Sequence, residues 1–229
     1  MATVAGDVDA SGSLGSGSEM LNDTFAIDWI TEERKEELGS FRRRIFRDHY
    51  GDRVDTDRLG WNHNDDKFPS LGAFAADGSL VSCLRLAPLP TPEEFHRILL
   101  RPYQVTDAEL PVVALGRAAT DRAFVKRGLL SMLRKLAIEI PAHRGFAAIV
   151  CSIAQDDPRR PLFQAMGYEI SSYAENWSGF LPSEVPPLLG LLRGKEKMAA
   201  AARYLAEKAV QTGTLFDVRI DIEKQTQRF

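Results

Sequence analysis

The stretch between Val112 and Tyr168 constrains the fold most, because strand and helix signals alternate along it. Residues 111–115 form an apolar run of strand length. A second run, from Phe146 to Ile153, is apolar on both faces, which is typical of a strand covered on both sides. Between the two runs, five apolar residues lie at helical spacings: Leu129, Leu130, Leu133, Leu136 and Ala137. Pro141 is expected to stop this helix or to lie just beyond its end. The order predicts a βαβ-like unit.

The turn that opens this helix has the features of an anion site. It contains Lys126, Arg127 and Gly128 immediately before the apolar helical pattern. A helix N-terminus presents unpaired backbone N–H groups and the positive end of the helix dipole, and both favour a phosphate. The sequence therefore predicts phosphate binding at this turn.

A β-hairpin is predicted between Phe68 and Pro88. Residues 71–75 pair with residues 80–86 across Asp77-Gly78, a favoured two-residue turn because the glycine accepts positive φ. Arg85 interrupts the second apolar strand. It either points to solvent, is held by a carboxylate or faces a substrate.

Composition indicates an ordinary globular domain with an appendage. The chain has 229 residues and a net charge of −3, which gives no general case for nucleic-acid binding. It has neither an apolar run of about 18 residues nor a signal-peptide pattern, so no membrane span and a cytoplasmic location are expected. The two cysteines, Cys83 and Cys151, lie in predicted strands and are interpreted as free buried thiols.

The N-terminal third contains a tail, a helix and a polar loop. Residues 1–23 are rich in Ala, Gly, Ser and Asp, and are interpreted as a disordered acidic tail or an expression remnant. A helix capped by Thr31 runs toward Tyr50, and the basic cluster at 42–44 is interpreted as its solvated flank. Residues 51–67 form a polar loop that lines a site or is mobile. One histidine among scattered acids is poor metal spacing, so no metal site is predicted.

The C-terminal part is interpreted as an extension packed on the core. We expect one or two strands within residues 168–180, a short apolar helix at 182–193, a long helix from Lys195 to Thr212 and a strand from Leu215 to Ile222. The predicted division is a tail at 1–23, a domain at 24–181 and the extension at 182–229.

The central stretch resembles the GNAT acyltransferase superfamily. Its motif is Arg/Gln-x-x-Gly-x-Gly/Ala, and this chain has Val125-x-x-Gly128-x-Leu130, where the central glycine matches. The segment from Phe163 to Tyr168 resembles the aromatic-x-x-x-Gly-aromatic ending of the same family. The resemblance implies an α/β fold with a mixed, mostly antiparallel sheet flanked by helices. It also implies that six residues hold the phosphates or pantetheine of an acyl donor: Val125, Lys126, Arg127, Gly128, Leu129 and Leu130.

A closer resemblance is to acyl-homoserine-lactone synthases and long-chain N-acyl amino acid synthases. Residues 82–91 are similar to their Gly-x-x-Arg-Leu-Leu-Pro-Thr segment, and residues 115–120 to their Leu-Ser-Arg-Phe-Ala-Val. Residues 44–46 stand where that family has Arg-x-Val-Phe, and residues 65–68 partly match its paired acids. The resemblance implies four catalytic-site residues: Arg85, Arg117, Asp65 and Asp66. We expect the arginines to orient the acceptor or the acidic loop.

Two departures bear on catalysis. The family commonly has a glutamate two or three residues before the second strand arginine, where this chain has Ala114 or Leu115. Many GNAT enzymes have a tyrosine general acid where this chain has Phe163. The expected function is N-acyl transfer from an acyl-CoA or acyl-phosphopantetheine thioester to a small amine such as an amino acid, with no tightly bound cofactor. The alternatives are acetyl-CoA-dependent N-acetylation and a degenerate domain that binds a partner.

A set of basic residues is interpreted as one rim: Lys126, Arg127, His143, Arg144, Arg159 and Arg160. This rim is either solvated surface or a landing site for the donor's phosphates or an acidic acyl-carrier protein.

Overall fold

A computed structural model describes residues 23–51, 59–91, 93–94, 110–153, 155, 157–172 and 188–222. The strands of this part are β1 Thr24–Trp29, β2 Ser70–Phe74, β3 Leu80–Leu89, β4 Val112–Thr120, β5 Ala148–Ile153, β6 Glu169–Ser172, β7 Leu188–Arg193 and β8 Leu215–Val218. Its α-helices are α1 Lys35–Tyr50, α2 Leu129–His143, α3 Arg160–Ala165 and α4 Lys195–Val210. The predicted tail, apart from Asp23, lies outside the described residues.

The strands form one mixed sheet in the order β6-β7-β5-β4-β3-β2-β1-β8. Two neighbouring pairs are parallel, β4 with β5 and β1 with β8, and the other pairs are antiparallel. The parallel pair in the middle is the predicted βαβ unit, in which α2 connects β4 to β5. The fold class predicted from the sequence is therefore confirmed.

The hairpin is also confirmed, with a different turn. Leu80 pairs with Phe74, and the Ala75 N–H donates to the Ser79 carbonyl at 2.9 Å. Three residues, not two, thus form the loop, and Gly78 takes the left-handed position at φ +81°. This is the geometry of a three-residue hairpin loop, which places a glycine at its last position.

Two expectations about helices are wrong. Pro141 lies inside α2, in its last turn. It cannot donate to Ala137, but its own carbonyl accepts from the Phe146 N–H at 3.0 Å and the helix ends normally at His143.

The short apolar helix predicted at 182–193 is also wrong where the structure describes it, because residues 188–193 form β7. A six-residue apolar run does not distinguish a buried strand from a helix by periodicity. Pairing with both β5 and β6 satisfies its backbone groups. The domain division at residue 181 stays a prediction, but β7 shares the sheet with the preceding domain.

The sheet is covered on both faces. On one face, α2 and α4 pack over a large apolar cluster that includes Leu84 and Leu86 of β3. On the other face, α1 packs with Leu38 and Phe41 over a smaller cluster that includes Cys83. A third cluster lies toward β5 and β7 on the α1 face. A polar strip separates the second and third clusters.

Both cysteines are buried and free, as predicted. Within the described ranges, no helix has the length and apolar character needed to cross a bilayer.

The close approach of β7 to β5 gives a test of this topology. A Cβ on Gly190 would lie 2.8 Å from Ile153 Cδ1 and 3.1 Å from Cys151 Sγ. Gly190→Val should therefore lower the free energy of unfolding by about 1–3 kcal/mol through overpacking. Urea unfolding followed by circular dichroism measures this change.

Ser171→Val is the matched control, since Ser171 is exposed on β6 opposite Leu189. It should leave stability nearly unchanged. Equal stability of the two variants would contradict the position of β7.

Candidate active site

Three residues line up across adjacent strands at the polar strip. Ser70 of β2 pairs with Arg85 of β3, and Arg85 pairs with Gly116 of β4. Directly paired residues project from the same face of a sheet. That face is the α1 side, because Cys83, two residues from Arg85, packs under α1. The strip is therefore a polar floor between two apolar clusters.

A buried ion pair joins α1 and the loop before β2 to this polar floor. Arg42 Nη1 donates to Asp65 Oδ1 at 2.6 Å, and the two side chains are 0% and 1% exposed. Arg42 Nη2 also donates to Ser70 Oγ at 3.0 Å. Asp65 Oδ2 accepts from the Asn62 backbone N–H at 3.1 Å. The interpretation of Arg42 as part of a solvated flank is wrong, because this arginine is fully enclosed.

Asp65 serves two arginines at once. Its Oδ1 atom also accepts from Arg85 Nη1 at a longer 3.3 Å. Burial alone would raise the pKa of Asp65, but Arg42 and Arg85 hold that pKa below its ordinary value. The pKa of Arg85 is lowered, since burial outweighs the attraction of the shared carboxylate. Arg85 is thus only partly neutralised by Asp65.

Arg117 lies beside this cluster on a bulge of β4. The register between β3 and β4 shifts between Cys83 and Arg85, and Arg117 takes φ +56°. Burial, followed by the neighbouring Arg85, lowers the pKa of Arg117 to about 10. Arginine rarely takes a left-handed backbone, which costs roughly 1–2 kcal/mol and is commonest at functional sites. The structure thus brings Arg85, Arg117 and Asp65 together.

Asp66 does not join this cluster. It lies at the surface, where Oδ1 accepts from Lys35 Nζ at 2.6 Å and from Trp61 Nε1 at 3.1 Å. The described ranges contain no group of three or more His, Cys, Asp or Glu side chains placed to hold a metal ion.

The sheet opens beside the floor. The pairing of β4 with β5 ends at Leu115 and Cys151, although β4 continues to Thr120 and β5 to Ile153. Gly116 is the first residue beyond the last pair, and a Cβ there would meet no heavy atom within 4 Å. Residues 115–118 are half-buried in the middle of the strand. The described ladder between β4 and β5 therefore stops next to Arg85.

The predicted phosphate-binding turn lies at the same end of β4 and β5, at the start of α2. The first intrahelical bond runs from the Met132 N–H to the Gly128 carbonyl, so the preceding N–H groups have no helical acceptor. Val125, Lys126 and Arg127 are exposed, Leu130 is half-buried, and Leu129 belongs to the core. Arg127 forms an ion pair with Asp23.

Gly128 has a structural reason of its own. It adopts φ +73°, and a Cβ there would lie 3.1 Å from the Ala209 Cα of α4. Glycine is required at position 128 because α4 packs closely on α2 there, whether or not an anion binds nearby.

The predicted basic rim is divided by the length of α2. His143 and Arg144 lie at the C-terminal end of this helix, roughly 20 Å from Lys126 by the helical rise. Arg159 is held by Asp157 in two hydrogen bonds of 2.8 and 2.7 Å. The single continuous rim is therefore wrong, because His143 and Arg144 lie apart from Lys126. Arg160 forms no ion pair with a described residue.

Two residues of this site were missed from the sequence, Arg42 and Gly116. Arg42 lies four residues after Leu38 and four before Phe46, so the helical period already placed it on the buried stripe. Gly116 carried no signal of its own, because its role depends on where two strands stop pairing.

Comparisons with known proteins agree with this architecture. A scan against protein-family models finds no match, and a search of curated proteins finds none. Among solved structures, the CoA-dependent acyl-homoserine lactone synthase BjaI, solved with SAM and isopentyl-CoA, is 16% identical, with a TM-score of 0.58 over 87% of this chain and 93% of that chain. FeeM, an N-acyl amino acid synthase from uncultured soil microbes, is 9% identical, with a TM-score of 0.58 over 80% and 98%.

A third structure, TofI in a ternary complex with an inhibitor and MTA, is 18% identical, with a TM-score of 0.52 over 77% of this chain and 96% of that chain. At these identities the likeness concerns the fold. The resemblance predicted from the sequence is thus confirmed at the level of the fold, which this chain shares with acyl-homoserine lactone synthases and an N-acyl amino acid synthase.

The buried ion pair should carry much of the stability. Asp65→Asn leaves Arg42 and Arg85 enclosed without a counter-charge, so the free energy of unfolding should fall by about 3–5 kcal/mol at pH 7. Because the folded-state pKa of Asp65 lies below 3.8, its contribution is complete above that unfolded value. The difference between wild type and variant should shrink as the pH falls through the folded-state pKa.

Asp66→Asn is the matched control, one residue away and at the surface. Urea unfolding at several pH values should show little change for this variant. Similar losses for both substitutions would contradict the special position of Asp65.

Proposed function

We propose that this protein is an N-acyltransferase that moves an acyl group from a thioester donor, acyl-CoA or an acyl-carrier protein, to the amine of a small molecule with a carboxylate, such as an amino acid. One observation carries the proposal. The opening between β4 and β5 lies directly beside the arginine floor, and Gly116 borders both. A donor in the opening and an acceptor on the floor would therefore meet at Gly116.

The donor side is supported by the unpaired end of α2. Phosphates of a phosphopantetheine arm suit a helix N-terminus with Lys126 and Arg127 beside it. The arm is long and thin, which fits a gap between two diverging strands. Backbone N–H groups on the β5 side of β4, beyond the last pair at Leu115, would polarise a thioester carbonyl there. BjaI, which shares the fold, is described with isopentyl-CoA.

The acceptor side is supported by Arg85 and Arg117. Arg85 shares one carboxylate oxygen with Arg42, and its longer bond leaves guanidinium donors for a ligand. A planar guanidinium matches a carboxylate with two parallel hydrogen bonds. An amino acid held in this way would place its amine over Gly116. FeeM, which also shares the fold, is described as an N-acyl amino acid synthase.

The energetics do not require a dedicated base or acid. Deprotonating an amine of pKa about 10.4 at pH 7 costs about 4.6 kcal/mol. Each well-placed N–H donor to the oxyanion supplies roughly 3–4 kcal/mol, and holding both reactants in line supplies roughly 7–11 kcal/mol. Phe163 in place of a tyrosine is therefore compatible with catalysis.

Two other functions are weaker. Acetyl-CoA-dependent N-acetylation would use the same opening, but this function does not need the buried arginines of the polar floor. A partner-binding domain without activity needs neither the opening nor the half-buried residues 115–118. The two enzymatic functions predict different products, and the binding domain predicts none.

A product assay tests the proposal. The purified protein is incubated with octanoyl-CoA, acetyl-CoA or octanoyl-carrier protein and a pool of amino acids and other amines, and mass spectrometry detects N-acyl products. We expect N-octanoyl amino acids. N-acetyl products alone would favour the acetyltransferase, and no product with any donor would favour the binding domain.

Gly116→Val tests the proposed meeting point in the same assay. Its side chain enters empty space, so the free energy of unfolding should not fall, and valine suits a strand. It should block the meeting point and reduce the rate at least about tenfold, because small misplacements of reactants cost up to about 100-fold. The rate of Gly116→Ala should lie between those of wild type and Gly116→Val. Full activity of Gly116→Val would contradict the assigned meeting point.

The donor class has a separate test. An acidic carrier protein would approach over a wider surface than CoA and would be steered by exposed positive charge. Arg160→Glu should therefore slow transfer from octanoyl-carrier protein several-fold at low salt while leaving transfer from octanoyl-CoA nearly unchanged. Initial rates at low and moderate salt measure the effect, which salt should weaken.

Arg144→Glu is the matched control, because it reverses the same charge at the C-terminal end of α2. It should slow neither donor. Equal slowing by Arg144→Glu and Arg160→Glu would indicate an effect of net charge, and no slowing by either would favour CoA as the donor.

A further inference from the structure

Arg134 is a buried cation with no ion pair in the described part of the chain. It projects from α2, is 8% exposed and makes no hydrogen bond to a described residue. Its guanidinium carbon lies 5.0 Å from the centroid of the Phe163 ring, the one directional contact described for it. A mostly buried guanidinium without an ion-pair partner is costly, so its presence calls for an explanation.

The titratable groups that face Arg134 neutralise it only in part, because Asp157 attracts it from beyond ion-pair distance. Burial raises the pKa of Cys151 on β5 to about 12 and raises that of Tyr168 well above 10, so both are uncharged at pH 7. Asp157, before α3, is already bound twice by Arg159. Arg159 itself carries the same sign. Burial lowers the pKa of Arg134 to about 10, which still leaves it charged at neutral pH.

The position of Arg134 relates this charge to the opening. Cys151, which faces it, forms the last pair of β5 with β4. Arg134 lies five residues beyond the start of α2, about 7.5 Å along the helix from the phosphate-binding turn. It therefore lies near the point where the strands part, on the α2 face, opposite the face that carries Arg85.

We propose that Arg134 stabilises the thiolate of the acyl donor as the thioester bond breaks. This inference rests on the proposed function, because it needs a phosphopantetheine thioester in the opening. The phosphates of such a donor stay at the exposed turn, and the carbonyl oxygen is served by N–H groups of β4. Besides the carbonyl oxygen, the sulfur is the group at the buried end of the arm that gains negative charge.

The step balances without a further reactant. The amine nitrogen attacks the thioester carbonyl carbon and forms the C–N bond. The C–S bond then breaks, sulfur keeps the bonding pair as a thiolate, and the ammonium proton passes to water. Arg134 stays protonated throughout and lowers the energy of the leaving thiolate by its charge. A leaving thiol of lower pKa departs faster.

The test measures the thiol pKa of bound CoA and of bound 4′-phosphopantetheine, the arm common to both donor classes. Thiolate absorbance is titrated against pH for each complex, and the titration of the protein alone is subtracted. The pKa of the bound thiol should lie about 1–3 units lower in wild type than in Arg134→Met. The rate of transfer from octanoyl-CoA should fall about tenfold or more in the same variant.

Two variants control for structure and net charge. Arg134→Lys keeps the charge and should retain most of the lowered thiol pKa. Lys135→Met removes one charge from the next residue, which pairs with Glu139, and should behave as wild type. Arg134→Met should unfold at the same temperature as wild type or higher, since it removes a buried unmatched charge.

The outcomes separate the two proposals. If neither thiol binds wild type, the donor site fails, and the role of Arg134 fails with it. If both bind with the same thiol pKa in wild type and Arg134→Met, the donor site stands and the role of Arg134 is overturned. A lowered thiol pKa that is lost in Lys135→Met as well overturns it too, because net charge then explains the shift.

Discussion

The bond between Arg42 and Asp65 is the interaction on which the α1 side of the molecule depends. It joins α1, the loop before β2 and, through Ser70 and Arg85, two strands of the sheet. Two apolar clusters flank it, so neither charge has access to water. Because breaking such a pair is far more costly than never forming it, the arginine and the aspartate constrain each other's position. Arg85 is consequently held at the floor with part of its hydrogen-bonding capacity unused.

The bulge in β4 has a second consequence. Arg117 adds a residue opposite Leu84 and increases the local twist of the strand. A strand that twists away from a straight neighbour cannot continue the same ladder, and the pairing with β5 indeed stops two residues earlier, at Leu115. The strained backbone, the arginine floor and the opening are therefore parts of one local geometry. This geometry connects the candidate acceptor site on the α1 face with the candidate donor site at the start of α2.

The sequence was most informative where a local rule determines the structure. The helical period located α2, the Asp-Gly pair located the hairpin, and the alternation near Leu215 located β8. It failed where the answer depends on distant partners. The run at 188–193 became a strand because β5 and β6 have free backbone groups on either side of it, and no local pattern records that. Arg42 was misread because its charge outweighed its place on the apolar stripe, and Gly116 depends on a gap between strands.

Two buried arginines on opposite faces of the sheet show how differently a charge can be enclosed. Arg42 is matched by Asp65, and the nearby groups raise its pKa above the ordinary value despite burial. Arg134 has no ion pair among the described residues, and burial lowers its pKa to about 10 although Asp157 attracts it. The first arrangement stabilises the fold, whereas the second weakens it, and a leucine or methionine at 134 would pack at lower cost. A site that must receive a transient negative charge has to keep a cation unpaired until that charge forms. In the proposed reaction, the charge of Arg134 would supply the electrostatic preorganisation for thioester cleavage at this opening.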